Sequence, residues 1–146
     1  MKPDWDEEFD TEKAAYNKLQ TLQGSLIPFF YGEVRCEGAR TLVLSEVHGV
    51  VAHRQAYPPL PRERFKNRLE ILFQKLGTLN ISYSDYNLGN ILLTKDGAML
   101  VDMESAWEPE PGQCEYESAG AIRLLLRQYD AYLNGLALDG YPARKD

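Results

Sequence analysis

The chain has 146 residues, 44% of them hydrophobic and 26% charged, with a formal net charge of −6; that is enough for one domain with a sizeable core and too little for two ordinary ones. The acidic balance, with a pI of about 5.0, argues against a nucleic-acid footprint, which needs a surplus of Lys and Arg. It leaves nucleotide binding open, because Mg²⁺ ligands are themselves carboxylates.

The start, "MKPDWDEEFD", is acidic and lacks the apolar stretch of a signal peptide, so residues 1–10 are expected to be a solvated segment. "DTEKAAYNKLQTLQG" then reads as a helix. Asp10 or Thr11 serves as its cap, Ala15, Tyr16, Leu19 and Leu22 form its apolar stripe, and Gly24 ends it. Glu12 stands four residues before Tyr16, on or beside that stripe, so it is expected at the edge of the first turn or paired with a cation. "LIPFFYGEV" and "ARTLVLSEV" read as two strands around the turn "CEGA". Three prolines break "HGVVAHRQAYPPLP", which is expected to hold a short helix and a loop. His48 and His53 in that region have no third ligand at metal spacing, so a hinge or surface role is expected for them.

"RERFKNRLEILFQKLG" is the most regular helix, with Phe65, Leu69, Leu72, Phe73 and Leu76 on one face and Gly77 as its stop. A loop at residues 83–89 leads to a strand at about 90–93, the "KDG" turn, and a strand at about 98–101, a hairpin signal of the Asp-Gly kind. "WEPEPGQCEYES" reads as a polar loop and "AGAIRLLLRQYDAYLNGL" as the last helix. "DGYPARKD" is a tail. No segment approaches transmembrane length. Cys36 and Cys114 lack C-x-x-C spacing, so reduced thiols and a cytoplasmic location are expected.

The chemistry concentrates in "SYSDYNLGNILLTKDGAMLVDMESA". As a calcium loop it fails, because Asn90 occupies the position that needs Gly and "ILL" follows where polar ligands should continue. Asp85 and Asp102 as a glycosidase acid and base have no sugar-stacking aromatic cluster tied to them. Phosphoryl transfer fits better. It needs a carboxylate to accept the proton of an attacking hydroxyl and oxygen ligands to hold Mg²⁺ against phosphates. Asp85 and Asn90 have the D-x-x-x-x-N spacing of a kinase catalytic loop, and the hairpin returns Asp102 beside Asn90.

The "D-x-N-x-G-N-I-L" run and the "V-D-M-E" ending resemble the catalytic loop and metal-binding segment of the protein kinase-like superfamily. They are closer to its aminoglycoside and choline phosphotransferase branch, with its fungal kinase-like members, than to ordinary protein kinases. "TEKAAYNKLQTLQGSLIPFFYGEV" is similar to the family's helix with an ion-pair Glu and the strand after it, and "TLVLSEVHGV" is similar to its fifth strand and hinge. The resemblance runs from Thr11 to Ala106, about two-thirds of the chain. It implies an α+β, protein kinase-like fold: a partial small-lobe sheet and hinge at 11–50, a large-lobe part with the catalytic hairpin at 51–138, and a tail at 139–146.

ATP and Mg²⁺ are the implied cofactors. By resemblance Asp85 is the catalytic base, Asn90 and Asp102 are Mg²⁺ ligands, and Glu12 is the ion-pair Glu. The backbone around Glu46 and Val47 meets the adenine edge, and Leu92 forms the floor beneath it. The family places a Gly-rich hairpin and a Lys-bearing strand before the Glu helix, where this chain has only "MKPDWDEEFD"; Lys2 is a poor substitute, being followed by Pro3. The chain is therefore expected to be a truncated member with impaired phosphoryl transfer to a hydroxyl-bearing acceptor. The alternative is a non-catalytic, pseudokinase-like binding module. A protein partner or a second copy is expected on the uncovered sheet, and no nucleic acid or membrane partner.

Overall fold

In the computed structural model, which describes residues 4–140, the chain folds as an α+β protein. Helix α1 (Asp4–Lys18) runs through a 3₁₀ turn at Gln20–Leu22 into the antiparallel hairpin of β1 (Phe30–Cys36) and β2 (Ala39–Leu44). Strand β3 (Val50–Val51) precedes α2 (Arg62–Thr78). After β4 (Ser82–Tyr83) come β5 (Ile91–Leu93) and β6 (Ala98–Leu100), then β7 (Ala106–Trp107) and α3 (Cys114–Leu138). Three small sheets result: β1-β2, β3-β5-β6 and β4-β7.

The apolar stripe of α2 behaves as its spacing requires. Phe65, Leu69, Leu72, Phe73 and Leu76 are all buried, each burial stabilising by about 1.5–3 kcal/mol. Phe65 stacks on Tyr129 of α3, with ring centroids 4.0 Å apart, and α2 also packs under β6. Strand β6 belongs with β5 to the hairpin beside the candidate site, so α2 and α3 are the platform on which that site stands.

Three elements depart from the sequence expectation. Helix α1 starts at Asp4, so Asp10 and Thr11 are helix interior and not caps; the Thr11 hydroxyl donates back to the Glu7 carbonyl at 2.9 Å. The acidic start is helical because Arg40 of β2 pairs with Asp10 at 2.7 Å and Asp6 at 3.4 Å and lies over the Phe9 ring. Carboxylates in a first turn also suit the helix dipole. Among the described residues the 48–61 segment holds no helix: the β-branched pair Val50–Val51 adds to β5 as a strand instead. Helix α3 begins at Cys114, inside the expected loop, with Glu115 and Glu117 in its first turn and the Cys114 thiol buried against the Ile81 carbonyl. Lys2 and residues 141–146 lie outside the described residues.

The face of the β1-β2 hairpin turned away from α1 is open. Tyr31 is 68% exposed, Val34 48% and Val43 36%. Among the described residues, no helix is long and apolar enough to cross a membrane.

Arg68 of α2 holds the hairpin turn. Its guanidinium donates to the carbonyls of Thr94 (2.9 Å), Gly97 (3.0 Å) and Lys95 (3.3 Å). Removing a charged donor from partly buried acceptors costs about 1.5–3 kcal/mol, so Arg68→Ala is expected to lower the unfolding free energy by that amount with an unchanged urea m-value. A loss below about 0.5 kcal/mol would show that the turn does not depend on this clamp.

Candidate functional site

The loop from Ser84 to Asn90 is shaped by its own amides. Asn87 N–H donates to the Asp85 carbonyl at 2.8 Å, and Gly89 N–H donates to the Asn87 side-chain oxygen at 2.7 Å, closing an Asx turn into the 3₁₀ turn Leu88–Asn90. Asn90 therefore sits just before β5 and not within it. Its side-chain Nδ2 donates to Asp85 Oδ2 at 2.8 Å. That bond joins two of the sequence-predicted residues and leaves the Asn90 amide oxygen without a hydrogen-bond donor among the described residues. Gln128 of α3 braces the loop from behind, donating to the Tyr86 carbonyl and accepting from Leu88 N–H at 3.1 Å.

Asp102 follows β6. Val101 N–H donates to the Asn90 carbonyl at 2.9 Å, so the return strand delivers Asp102 one residue beyond Asn90. Its backbone is left-handed, φ 64° and ψ 88°, a conformation Asp tolerates better than most residues and one that concentrates at functional sites. Two bonds hold the turn. The Asp102 carboxylate accepts from Glu104 N–H at 3.4 Å, and the Tyr83 hydroxyl donates to the Asp102 carbonyl at 2.7 Å. Burial, followed by the charges of Asp102 and Asp85, pushes the Tyr83 phenol up, so it remains a donor. Tyr83 thus anchors the turn at Asp102 through its hydroxyl.

Glu12 is not at a frayed edge, and among the described residues it has no cationic partner. It lies about two turns into α1, half-buried, where its carboxylate meets Asp102 and Glu104, one ligand oxygen from each lying within 4.8 Å of the others. Burial raises the Glu12 pKa above its usual 4.5, and the negative charges of Asp102 and Glu104 add to the rise. Glu104 is raised chiefly by Asp102. Two nearby cations serve another carboxylate: Lys13 bonds Glu33 at 3.0 Å and Arg40 bonds Glu33 at 2.7 Å, which together hold the Glu33 carboxyl at about 2, while Arg35 donates to the Gly38 carbonyl at 3.0 Å.

The remaining predicted residues lie apart. Glu46, exposed, and Val47, half-buried, occupy the β2–β3 connection and line a cavity of about 420 Å³ with Phe29, Tyr31, Thr94 and Met99. Gly49 lets this connection approach β5, since a Cβ there would fall 2.8 Å from the Leu93 carbonyl oxygen. Leu92 is half-buried at the centre of the three-stranded sheet, opposite Val51 and Met99. His53 is a residue the sequence reading set aside. It is half-buried beside Gly89, and its Nδ1 has no partner among the described residues. Tyr16 reads in sequence as a stripe residue, Glu104 as part of the V-D-M-E ending and Gln128 as one more polar residue of the last helix; none is singled out as a site residue.

The raised Glu12 pKa fixes the sign of a pH effect. The folded state holds this proton more tightly than the unfolded chain, so the stability it confers is full below pH 4.5 and lost as pH rises through the folded pKa. With divalent ions chelated, Glu12→Gln is expected to raise the melting temperature near neutral pH by roughly 2–4 °C. The gain should vanish as the pH falls below 4.5. A variant that melts lower than the parent at neutral pH would show that Glu12 has a cationic partner.

No protein-family model matches the sequence, and no curated protein matches it. Among solved structures, the chain is similar to the crystal structure of WbdD, with a TM-score of 0.56 at 13% identity. The match covers 98% of this chain, which spans 39% of that chain's length. At that identity the likeness is one of fold.

Proposed function

We propose that this chain carries the hydroxyl-activating and metal-holding half of a protein kinase-like phosphotransferase site, of the aminoglycoside and choline phosphotransferase kind, using ATP and Mg²⁺. The observation that supports it is the 2.8 Å bond from Asn90 Nδ2 to Asp85 Oδ2 at the foot of a hairpin that returns Asp102 next to Asn90. With Oδ2 engaged, Asp85 Oδ1 is the oxygen that takes the proton of an acceptor hydroxyl. Asn90, its amide N–H spent on Asp85, offers a neutral oxygen ligand and Asp102 a charged one, a hard donor set that suits Mg²⁺. When bound, the ion neutralises and orients the phosphate oxygens. The backbone at Glu46 and Val47 and the Leu92 side chain are the proposed contacts to the base.

The non-catalytic binding module is the second reading. It is favoured by the environment of Glu12, which meets carboxylates where a lysine clamp on the phosphates would need an ion pair.

Calorimetry with Mg-ATP, followed by turnover with a hydroxyl acceptor panel, separates the two. The catalytic reading predicts Mg-ATP binding that Asp102→Asn weakens by at least tenfold, about 1.4 kcal/mol. It also predicts that Asp85→Asn keeps binding but lowers turnover by about 10²-fold or more. Binding without turnover in the parent chain would leave the binding module. Absence of Mg-ATP binding would sink the nucleotide reading altogether.

A further inference from the structure

Three carboxylates from two places in the chain converge at Glu12, Asp102 and Glu104; Lys13 and Arg40 pair with other carboxylates, and Arg35 of the adjoining cavity donates to the Gly38 carbonyl. Like charges gathered this closely repel, and the fold holds them together by burying α1 against the Met103–Ser105 turn. An acidic cluster alone is unremarkable on a chain of net charge −6. A second feature distinguishes this one. Tyr16, one helical turn after Glu12, is fully buried, and its hydroxyl has no hydrogen-bond partner among the described residues. Residues four apart share one helical face, so the phenol is carried on the side of α1 that presents Glu12. A buried donor left unpaired costs on the order of 1–3 kcal/mol, a cost that a cation-bound water oxygen beside the carboxylates would remove. Access exists as well: Glu12 and Glu104 line an open cavity of about 380 Å³ together with Phe9 and Arg40.

We infer that Glu12, Asp102 and Glu104 form a binding site for a hard divalent cation, with the Tyr16 hydroxyl completing it through a bound water, and that the site fills without nucleotide. All-oxygen, carboxylate-rich donor sets select cations of the Mg²⁺, Mn²⁺ and Ca²⁺ class. The site shares Asp102 with the phosphoryl-transfer reading but does not rest on it, since neither Asp85 nor Asn90 contributes. It gives Glu12 a role as a ligand in place of the ion pair that the family resemblance implied.

The test is Mn²⁺ binding to the whole chain without nucleotide, read by electron paramagnetic resonance of the free ion. One equivalent is expected to bind the parent chain, with Mg²⁺ or Ca²⁺ competing. Glu104→Gln, an exposed and isosteric change, is expected to weaken binding at least tenfold. Glu12→Gln should act likewise, and Tyr16→Phe should weaken it several-fold. Glu115→Gln, an equal charge change on remote α3, should leave binding intact. No Mn²⁺ bound at millimolar concentration would overturn the inference. So would equal losses in Glu104→Gln and Glu115→Gln, the mark of diffuse attraction to an acidic surface.

Discussion

Ile91 lies opposite Leu100 and Leu93 opposite Ala98, and all four side chains are buried in the core above α2. Because side chains alternate along a strand, a slip of one residue would turn Ile91 and Leu93 away from that core. The hairpin therefore has one register, and that register decides the site. It sets the Asn90 carbonyl against Val101 N–H and so delivers Asp102 beside the residue that Asp85 holds. The candidate site at one end of β5-β6 is positioned by hydrophobic burial along its length, while Arg68 secures the turn at the other end.

Charge placement is the second constraint. Arg40 and Lys13 gather Glu33, Asp6 and Asp10, which fastens α1 to the β1-β2 hairpin. These partly exposed pairs serve mainly to orient the helix, since surface ion pairs contribute little energy individually. The result is a helix docked with Glu12 facing Asp102 and Glu104, where repulsion and burial raise both glutamates. One end of α1 is thus held by complementary charge, and its middle carries a concentration of like charge next to the left-handed turn at Asp102. Such a position favours whichever cation reaches it.

Features governed by local pattern were legible in the sequence. The stripe of α2, the β1-β2 turn and the Asp-Gly hairpin each follow from period and turn chemistry, and Asp85, Asn90 and Asp102 could be singled out because one hairpin carries all three. The start of α1 was not legible, because its acidic residues become helical through Arg40, thirty residues or more away from Asp6 and Asp10. Nor was the first turn of α3, whose anchor is the contact of Cys114 with Ile81. Glu104 and Tyr16 gain their meaning only where α1 meets the turn after β6, and Gln128 reads as one more polar residue on an amphipathic helix until it is seen bonded to the loop at Tyr86 and Leu88.

The central claim is that Asn90 and Asp102 act together on a nucleotide-bound cation while Asp85 holds the Asn90 amide. The most direct measurement is the nuclear magnetic resonance of the Asn90 side-chain amide and the Asp102 backbone amide, as Mn²⁺ is added with a non-hydrolysable ATP analogue to a chain carrying Glu104→Gln. The account predicts that both signals broaden at substoichiometric Mn²⁺ only when the analogue is present, and that Asp85→Ala shifts the Asn90 amide beforehand. An Asn90 amide that stays sharp with the analogue and Mn²⁺ both in excess would contradict it.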